Sequence, residues 1–316
     1  STIRKWLADK ALSEQNKIYF SKLSPISNIS NLQESHQFSG ELLAGIQRGD
    51  ILSFRPLLDT NDWVNQLGIS GSKLNNNQFK SILDLLIQAR QIKVELTNKN
   101  YIFWQPQIES LISSPKAEKK IISIFTDDFE IRSDGSLILI DIYNNITKTK
   151  KKIKSKLNDL FKIAQSSGWL QDDHIAWRNG RSVLPIKASH KRKIKGIIQS
   201  QSSSGQTIFI EPLEIIELNN TLTNLEFKRL QEVNKILLKL TAFFKPYKDI
   251  LFQSINLLVK LDFHYTIAKF ANQTRSKAPH FSNQNNLIFE NARNPILELS
   301  NKAVIPLNIN LSNNDT

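Results

Sequence analysis

The middle of the chain contains a helical stripe of hydrophobic positions. Between residues 143 and 166 these positions follow one another at spacings of seven, four, three and four. Such spacing places them on one face of an amphipathic helix. The helix would be about 36 Å long, and Gly168 would end it, because glycine readily adopts the left-handed backbone conformation of a helix terminus. The stripe consists of Ile146, Ile153, Leu157, Leu160 and Ala164.

A second and longer helix is predicted from Glu211-Pro212 onward, with the proline in its first turn. Its apolar positions recur every three and four residues, with one skip of five, as in a coiled-coil seam that contains a stutter. The first helix is its natural partner, so we predict an antiparallel helical pair. The seam consists of Ile215, Leu218, Leu222, Leu225, Leu230, Val233, Leu237, Leu240 and Phe244.

Between these two helices the hydrophobic period changes to that of β-strands. Four short strands are predicted, at 175–178, 182–187, 194–200 and 207–210. Asn179-Gly180 separates the first two and is a strong hairpin signal, because both residues tolerate a positive φ. The segment 190–193 is predicted as a basic loop and 202–205 as a polar turn. A small β unit is therefore inserted between the two long helices.

The rest of the chain is predicted to be mostly helical. The first third begins with an amphipathic helix that fades before Pro25, and 75–96 repeats at helical spacing. A turn at 133–136 precedes an apolar run, which is either a short hairpin or a helix start. A further helix is expected over 249–272, and 276–316 is expected to be strand and loop. The predicted fold class is mainly α with a small antiparallel β insertion.

Composition excludes several classes of protein. The chain has 316 residues, of which 40% are apolar and 22% charged, as in a globular protein. Cysteine is absent, which excludes disulfides and thiolate metal sites. No apolar run reaches the roughly 20 residues of a membrane-spanning helix. We therefore expect a cytoplasmic protein without a membrane partner.

The positive charge is concentrated in one segment. The chain carries a net charge of +13, and residues 143–200 hold fourteen basic and three acidic side chains, a net charge of +11. Such a localised excess is typical of a surface that binds a polyanion, although a solvated basic face has the same composition. The candidate nucleic-acid-binding residues are Lys148, Lys150, Lys151, Lys152, Lys154, Arg178, Arg181, Lys187, His190, Lys191, Arg192, Lys193 and Lys195.

The sequence contains no convincing catalytic or metal-binding group. Trp177 and Phe209 could stack on nucleobases, but we favour packing beneath the small sheet. His264 lies on an apolar helix and is predicted to be a core histidine. The cluster 172–174 (DDH) is interpreted as a solvated turn, and no phosphate-binding G-x-x-x-x-G-K-[ST] loop is present. We predict no catalytic residue, cofactor or metal site in this sequence.

Several segments resemble the MutS family, and specifically its bacterial MutS-two branch. The longest are 177–187 (WRNGRSVLPIK) and 201–212 (QSSSGQTIFIEP). Weaker similarity extends to 50–58 and to 292–297 (ARNPIL), where Asn294 stands in place of a usual histidine. The resemblance covers nearly the whole chain and implies a helical core, two lever helices and a β clamp.

The resemblance also implies domain boundaries. They are a helical core at 1–142, a first lever helix at 143–168, a β clamp at 169–212, a second lever helix at 213–250, a return to the core at 251–290 and the start of an ATPase domain at 291–316. In the family, the ATP-binding loop would follow Thr316. ATP and Mg²⁺ are therefore expected only in a longer protein. Many members of the family also carry an Smr nuclease region.

The family resemblance leaves two partners open. Clamps of the family contact the DNA backbone without reading sequence, and the MutS-two branch is linked both to suppression of recombination through branched DNA and to rescue of collided ribosomes. The partner is thus double-stranded or branched DNA, or the ribosome through its RNA. Self-association is expected to use the ATPase region. A purely structural coiled-coil protein is a third hypothesis, and it predicts binding that does not depend on salt.

Overall fold

A computed structural model describes residues 2–56, 61–99, 101–281, 286–300 and 303–311. The chain divides into two compact units, which we call the first unit (Ser1–Ile122 with Leu240–Thr316) and the second unit (Ser123–Lys239). The last two residues of the family-like segment 50–58, and the end of the expected ATPase start at 312–316, lie outside the described residues.

The elements in chain order are mainly helical. The first seven helices are α1 (Thr2–Lys10), α2 (Glu14–Ser21), α3 (Ile29–Gln47), α4 (Asn61–Leu67), α5 (Asn76–Thr97), α6 (Gln105–Ile108) and α7 (Pro115–Ile122). The second unit contains α8 (Leu137–Ser166), β1 (Ala176–Arg178), β2 (Arg181–Lys187), β3 (Gly196–Gln201), β4 (Thr207–Pro212) and most of α9 (Leu213–Phe244). The chain continues with α10 (Lys248–Thr274), β5 (Leu287–Ala292), α11 (Pro295–Leu299) and β6 (Leu307–Leu311). The predicted fold class, mainly α with a small antiparallel β insertion, is confirmed.

The first unit is a helical assembly whose core includes polar groups. His264 on α10 is 4% exposed and lies 2.9 Å from Ser39 Oγ through its Nδ1. Burial, and to a smaller extent the nearby charge of Lys260, lowers the pKa of this histidine to about 4. The prediction of a core histidine is therefore confirmed.

The start of the first unit differs from the predicted single helix, because it is broken into α1 and α2. The buried Asp262 carboxylate accepts hydrogen bonds from the backbone N–H groups of Leu12 (3.0 Å) and Ser13 (2.9 Å) and from the Ser13 hydroxyl (2.6 Å). It also accepts one from the Asn16 side chain at 2.8 Å. Ser13 in turn caps α2. A residue 249 positions away thus ends one helix and positions the next.

The first long helix, α8, begins six residues earlier than the predicted Tyr143. Ser136 is its N-cap, and its hydroxyl accepts a hydrogen bond from the backbone N–H of Leu139 at 3.1 Å. The turn at 133–136 therefore leads into a helix rather than a hairpin. A helix start is one of the two interpretations that the sequence leaves open, and the structure has it.

Helices α8 and α9 form the predicted antiparallel pair. Ile153 and Leu157 of α8 share a buried cluster with Ile215 and Leu222 of α9. The ends are fixed by polar contacts, because Lys156 Nζ donates to the Glu214 carbonyl (3.1 Å) and the Ser136 hydroxyl lies 3.1 Å from Glu232 Oε1.

Two details of the predicted α9 are wrong. Leu230 is predicted in the apolar seam but is 52% exposed. Pro212 was placed in the first helical turn but ends β4, and α9 begins at Leu213.

The small sheet has the order β1-β2-β4-β3, with all neighbouring strands antiparallel. Asn179 (φ 52°) and Gly180 (φ 73°) both adopt the positive φ predicted for the first hairpin. The third strand begins at Gly196 rather than at the predicted Ile194. A Cβ added to Gly196 would collide with the Glu211 carbonyl. All four predicted strands are confirmed.

The connection between β2 and β3 is not a hairpin. Strand β4 lies between them, pairing Lys187 with Thr207 at one end of the sheet and Gly196 with Pro212 at the other. The connecting residues 188–195, which we call the crossover segment, therefore run from one end of the sheet to the other. The predicted basic loop at 190–193 is the middle of this segment.

The last described residues form a two-stranded antiparallel sheet, β5 with β6, as the prediction of strand and loop anticipated. The short helix α11 between them was not predicted. The Asn294 side chain caps it by accepting from the backbone N–H of Ile296 at 2.9 Å. The residue that departs from the family pattern thus has a local structural role. Among the described helices, none has the length and apolarity needed to span a membrane.

Candidate nucleic-acid interface

The lysines of α8 project from the helix while its apolar stripe faces the sheet and α9. Helical periodicity separates the two sets, since residues three and four apart share a face. Lys150 and Lys154 lie at one edge of the buried stripe and Lys156 at the other. All five predicted binding lysines of the helix are exposed: Lys148, Lys150, Lys151, Lys152 and Lys154. One of them, Lys150, also lies 3.7 Å from Glu226 on α9.

The crossover segment carries a second exposed basic group. Lys191, Arg192, Lys193 and Lys195 are all exposed, and within the described residues none of them forms an ion pair. Ile194 between them is buried in the cluster beneath the sheet. The segment is thus anchored through one apolar side chain, while its basic neighbours remain in solvent.

Lys187, which directly precedes the crossover segment, and His190, which lies within it, are only half-buried. The Lys187 ammonium donates to the carbonyl oxygen of Gly168, just beyond the end of α8, at 3.1 Å. A cation at the carboxyl end of a helix also interacts favourably with the helix dipole. Lys187 therefore stabilises the junction of α8 with the sheet.

Arg181 is bound to a buried carboxylate. Its Nη1 lies 2.8 Å and 3.0 Å from the two oxygens of Glu211, whose side chain is fully buried. Gln199 on β3 and Asn219 on α9 donate to the same carboxylate, at 2.6 Å and 2.8 Å. The carboxylate joins β2, β3, β4 and α9, so the geometry gives Arg181 a structural task that sequence reasoning did not foresee.

Arg178, on the other side of the same turn, has a different environment. Its guanidinium lies 4.0 Å from the centre of the Phe209 ring and remains exposed. Phe209 is 6% exposed, so its ring is buried and not available for stacking on a base. The predicted packing beneath the sheet is wrong for Trp177, which is 55% exposed because β1 is a three-residue edge strand.

A groove of about 300 Å³ opens beside Trp177. Its apolar lining includes Leu157 of α8 and Leu222 of α9, and Lys150 and Lys154 stand on its α8 side. The structure thus brings two predicted binding lysines together with an exposed aromatic ring. The groove could not have been found from the sequence, because its walls come from segments far apart in the chain.

No group of three His, Asp or Glu side chains in the described ranges could hold a metal ion. Asp172, Asp173 and His174 are all exposed, as the interpretation of a solvated turn requires.

Curated proteins with related sequences cover nearly all of the chain. The Endonuclease MutS2 of Alkaliphilus oremlandii is 31% identical to it over 303 residues, which are 94% of this chain and 38% of that protein. The Endonuclease MutS2 of Clostridioides difficile is 29% identical over 297 residues, or 92% of this chain and 37% of that protein. That of Finegoldia magna is 33% identical over 204 residues, or 65% of this chain and 26% of that protein. No family model matches the chain, which spans under two fifths of these relatives' length.

Proposed function

Since this chain belongs to the MutS-two branch of the MutS family, we propose that its second unit binds the sugar-phosphate backbone of double-stranded or branched DNA without reading the base sequence. The exposed lysines and arginines neutralise phosphates and release condensed counterions, which is a sequence-independent source of affinity. The activity of the longer protein, including ATP-driven closure of the two long helices and any nuclease step, is part of the same proposal.

The observation that carries the proposal is the exposure of the basic side chains. Of the thirteen candidate residues, ten are exposed, and only Arg181, Lys187 and His190 are half-buried. Lysines and arginines used to hold a fold are engaged by acids or carbonyls, as Arg181 and Lys187 are. The exposed set lacks such partners almost entirely, which favours a polyanion over a structural task.

Binding as a function of salt tests the proposal. The chain is titrated into fluorescently labelled duplexes of two unrelated sequences and into a four-way junction, at several salt concentrations. We expect equal affinities for the two duplexes, and a logarithmic affinity that falls linearly with the logarithm of salt by about 0.9 for each phosphate contacted. A salt-independent affinity would support the structural coiled-coil hypothesis instead.

Ribosomal RNA presents a similar backbone to lysines, so the same surface is compatible with the ribosome. A competition experiment separates the two partners. Unlabelled ribosomes are added to the complex with the labelled four-way junction, and unlabelled junction is added in a parallel series. The proposal predicts that unlabelled junction displaces the labelled junction at a lower molar concentration than ribosomes do. The reverse order would assign the surface to the ribosome.

A further inference from the structure

We infer that the groove beside Trp177 is a binding site for one unpaired nucleotide of DNA, with the base stacked on the indole and the adjoining phosphates held by Lys150 and Lys154. The inference rests on the proposed function and adds a means of distinguishing branched or interrupted DNA from fully paired duplex. It concerns one face of the second unit, between the first half of the sheet and the two long helices.

The chemistry of the groove fits a nucleotide. Leu157, Ile175 and Leu222 provide an apolar floor, and the Trp177 indole forms an aromatic wall. The volume of about 300 Å³ is at the lower end of the ~300–1,000 Å³ typical of sites for small organic ligands. A flat aromatic base matches these surfaces, because every base has a face that stacks on an aromatic side chain.

The two lysines supply the complementary charge. Lys150 and Lys154 are four residues apart on α8, so their side chains lie on one face of the helix, one turn from each other. No described residue forms a hydrogen bond or ion pair with the Lys154 ammonium, and the Glu226 contact of Lys150 is long, at 3.7 Å. An apolar ligand alone would gain nothing from these cations, whereas a nucleotide uses both surfaces.

Trp177 itself is the least expected member of the site. A tryptophan that is 55% exposed leaves much of a large apolar ring in water, although the buried cluster of the unit lies directly beside it. Its exposure on the edge strand β1 makes the ring accessible to a ligand. Stacking on such a ring is tolerant of base identity, which agrees with binding that does not read sequence.

Access to the groove depends on the state of the base. A base in an intact duplex is held by pairing and stacking, and its removal from the stack costs least when it is already unpaired. The groove therefore favours DNA with a bulged, frayed or junction nucleotide. Backbone contacts by the exposed lysines act on every duplex alike, so the groove adds a preference to an otherwise uniform affinity.

The test compares a duplex carrying a single-nucleotide bulge with the fully paired duplex, using the whole 316-residue chain. We expect the wild-type protein to bind the bulged DNA more tightly, and Trp177→Ala to weaken that complex roughly tenfold, as expected for the loss of one stacked base. Affinity for the paired duplex should change by less than about twofold, because the phosphate contacts remain. Trp177→Phe should retain much of the preference.

A matched control and a direct contact measurement complete the experiment. Phe227 on α9 is also an exposed aromatic residue of the second unit but does not line the groove, so Phe227→Ala should leave the preference intact. With 5-iodouracil at the bulge, ultraviolet irradiation should cross-link Trp177, and the cross-link should disappear when the base is paired. Circular dichroism establishes that each variant is folded.

The outcomes separate the inference from the proposed function. If the protein binds paired and bulged DNA equally, and Trp177→Ala changes neither affinity, the nucleotide site is wrong and the backbone-binding function stands. If the protein binds neither DNA, the proposed function itself is wrong. If Trp177 is needed for tighter binding of bulged over paired RNA, and bulged DNA shows no such difference, the groove binds an RNA nucleotide. That result would overturn the assignment to DNA.

Discussion

Charged side chains that hold the fold and charged side chains that remain in solvent differ in burial and partner, and the two units provide examples of each. The first unit contains carboxylates that are buried and satisfied: Asp262 accepts from two backbone N–H groups, a hydroxyl and an amide, and both oxygens of the buried Glu118 bind the partly exposed Arg90, at 2.8 and 3.1 Å. In the second unit, most basic groups are exposed, whereas the half-buried Arg181 is bound to the fully buried Glu211. Burial and partner, rather than residue type, distinguish a charge that holds the fold from one available to a ligand.

The largest expected effect is the loss of Asp262. Asp262→Ala leaves four donors without their acceptor, so the free energy of unfolding should fall by about 4 kcal/mol. Urea unfolding followed by circular dichroism measures it. Asp9→Ala, an exposed aspartate of α1, is the control and should change stability by less than about 0.5 kcal/mol. Equal losses of stability for the two substitutions would contradict the structural role of the buried Asp262.

Arg181 and Arg178 provide the same contrast within the second unit. Arg181→Ala strips the fully buried Glu211 carboxylate of its charged partner, and we expect a loss of about 3 kcal/mol, reduced from the full cost of a broken buried pair because the arginine is partly exposed. Arg178→Ala removes a contact with the Phe209 ring and an exposed hydrogen bond to the Trp177 carbonyl, so we expect a loss of stability of about 1 kcal/mol or less.

The loss of DNA affinity should be larger for Arg178→Ala than for Arg181→Ala, the reverse of their order in stability. Measured at a temperature where both proteins are folded, Arg178→Ala should weaken duplex binding and lower the salt slope, whereas Arg181→Ala should alter the slope less. A stability loss for Arg178→Ala that matches that of Arg181→Ala would contradict the assigned roles.

His264 extends the comparison to pH. Its pKa is lowered to about 4 in the folded protein, against about 6.5 in an unfolded chain. The folded state therefore binds fewer protons between these values. The corresponding stability is fully present above pH 6.5 and is lost as the pH falls towards 4, by at most about 3 kcal/mol.

Unfolding curves of the wild-type protein and His264→Gln between pH 7.5 and pH 4 measure this contribution. Other groups titrate in both proteins, so the difference between the two stability curves isolates the histidine. The wild-type curve should fall more steeply between pH 6.5 and 4. Parallel curves would mean that the ring is not held neutral by burial.

The periodic features of the fold could be predicted from the sequence. The stripe that includes Ile153 and Leu157, the turn at Asn179-Gly180 and the change of period between the long helices depend on local spacing, and all three are confirmed. These features are encoded within a few turns of helix or residues of strand. Local spacing is therefore sufficient to find them.

Features that depend on distant partners could not be predicted. The break before α2 needs Asp262, and the structural task of Arg181 needs Glu211, which lies on another strand. Trp177 belongs to an apolar strand pattern, and only the sheet order shows that its strand is at the edge. The site residues follow the same division: their exposure could be anticipated from charge, but the groove that groups Lys150 with Trp177 could not.

The crossover segment gives the smallest expected change in stability and the most direct test of the second unit. Replacing Lys191, Arg192, Lys193 and Lys195 by alanine should cost little, since exposed substitutions usually change stability by less than about 0.5 kcal/mol each. The control variant replaces four exposed lysines of the first unit: Lys5, Lys80, Lys116 and Lys119. Lys93 is unsuitable as a control, because its ammonium donates to the carbonyls of Glu109 and Leu111.

The decisive measurement is the salt dependence of duplex binding for the wild-type protein and these two four-residue variants, which have equal net charge. If the crossover segment contacts phosphates, its variant should bind all duplex sequences more weakly, with a salt slope lower by roughly three, while the control variant keeps nearly the wild-type slope. Equal slopes for the two variants, with both proteins folded, would contradict the claim that the exposed charge of the second unit is the DNA-binding surface.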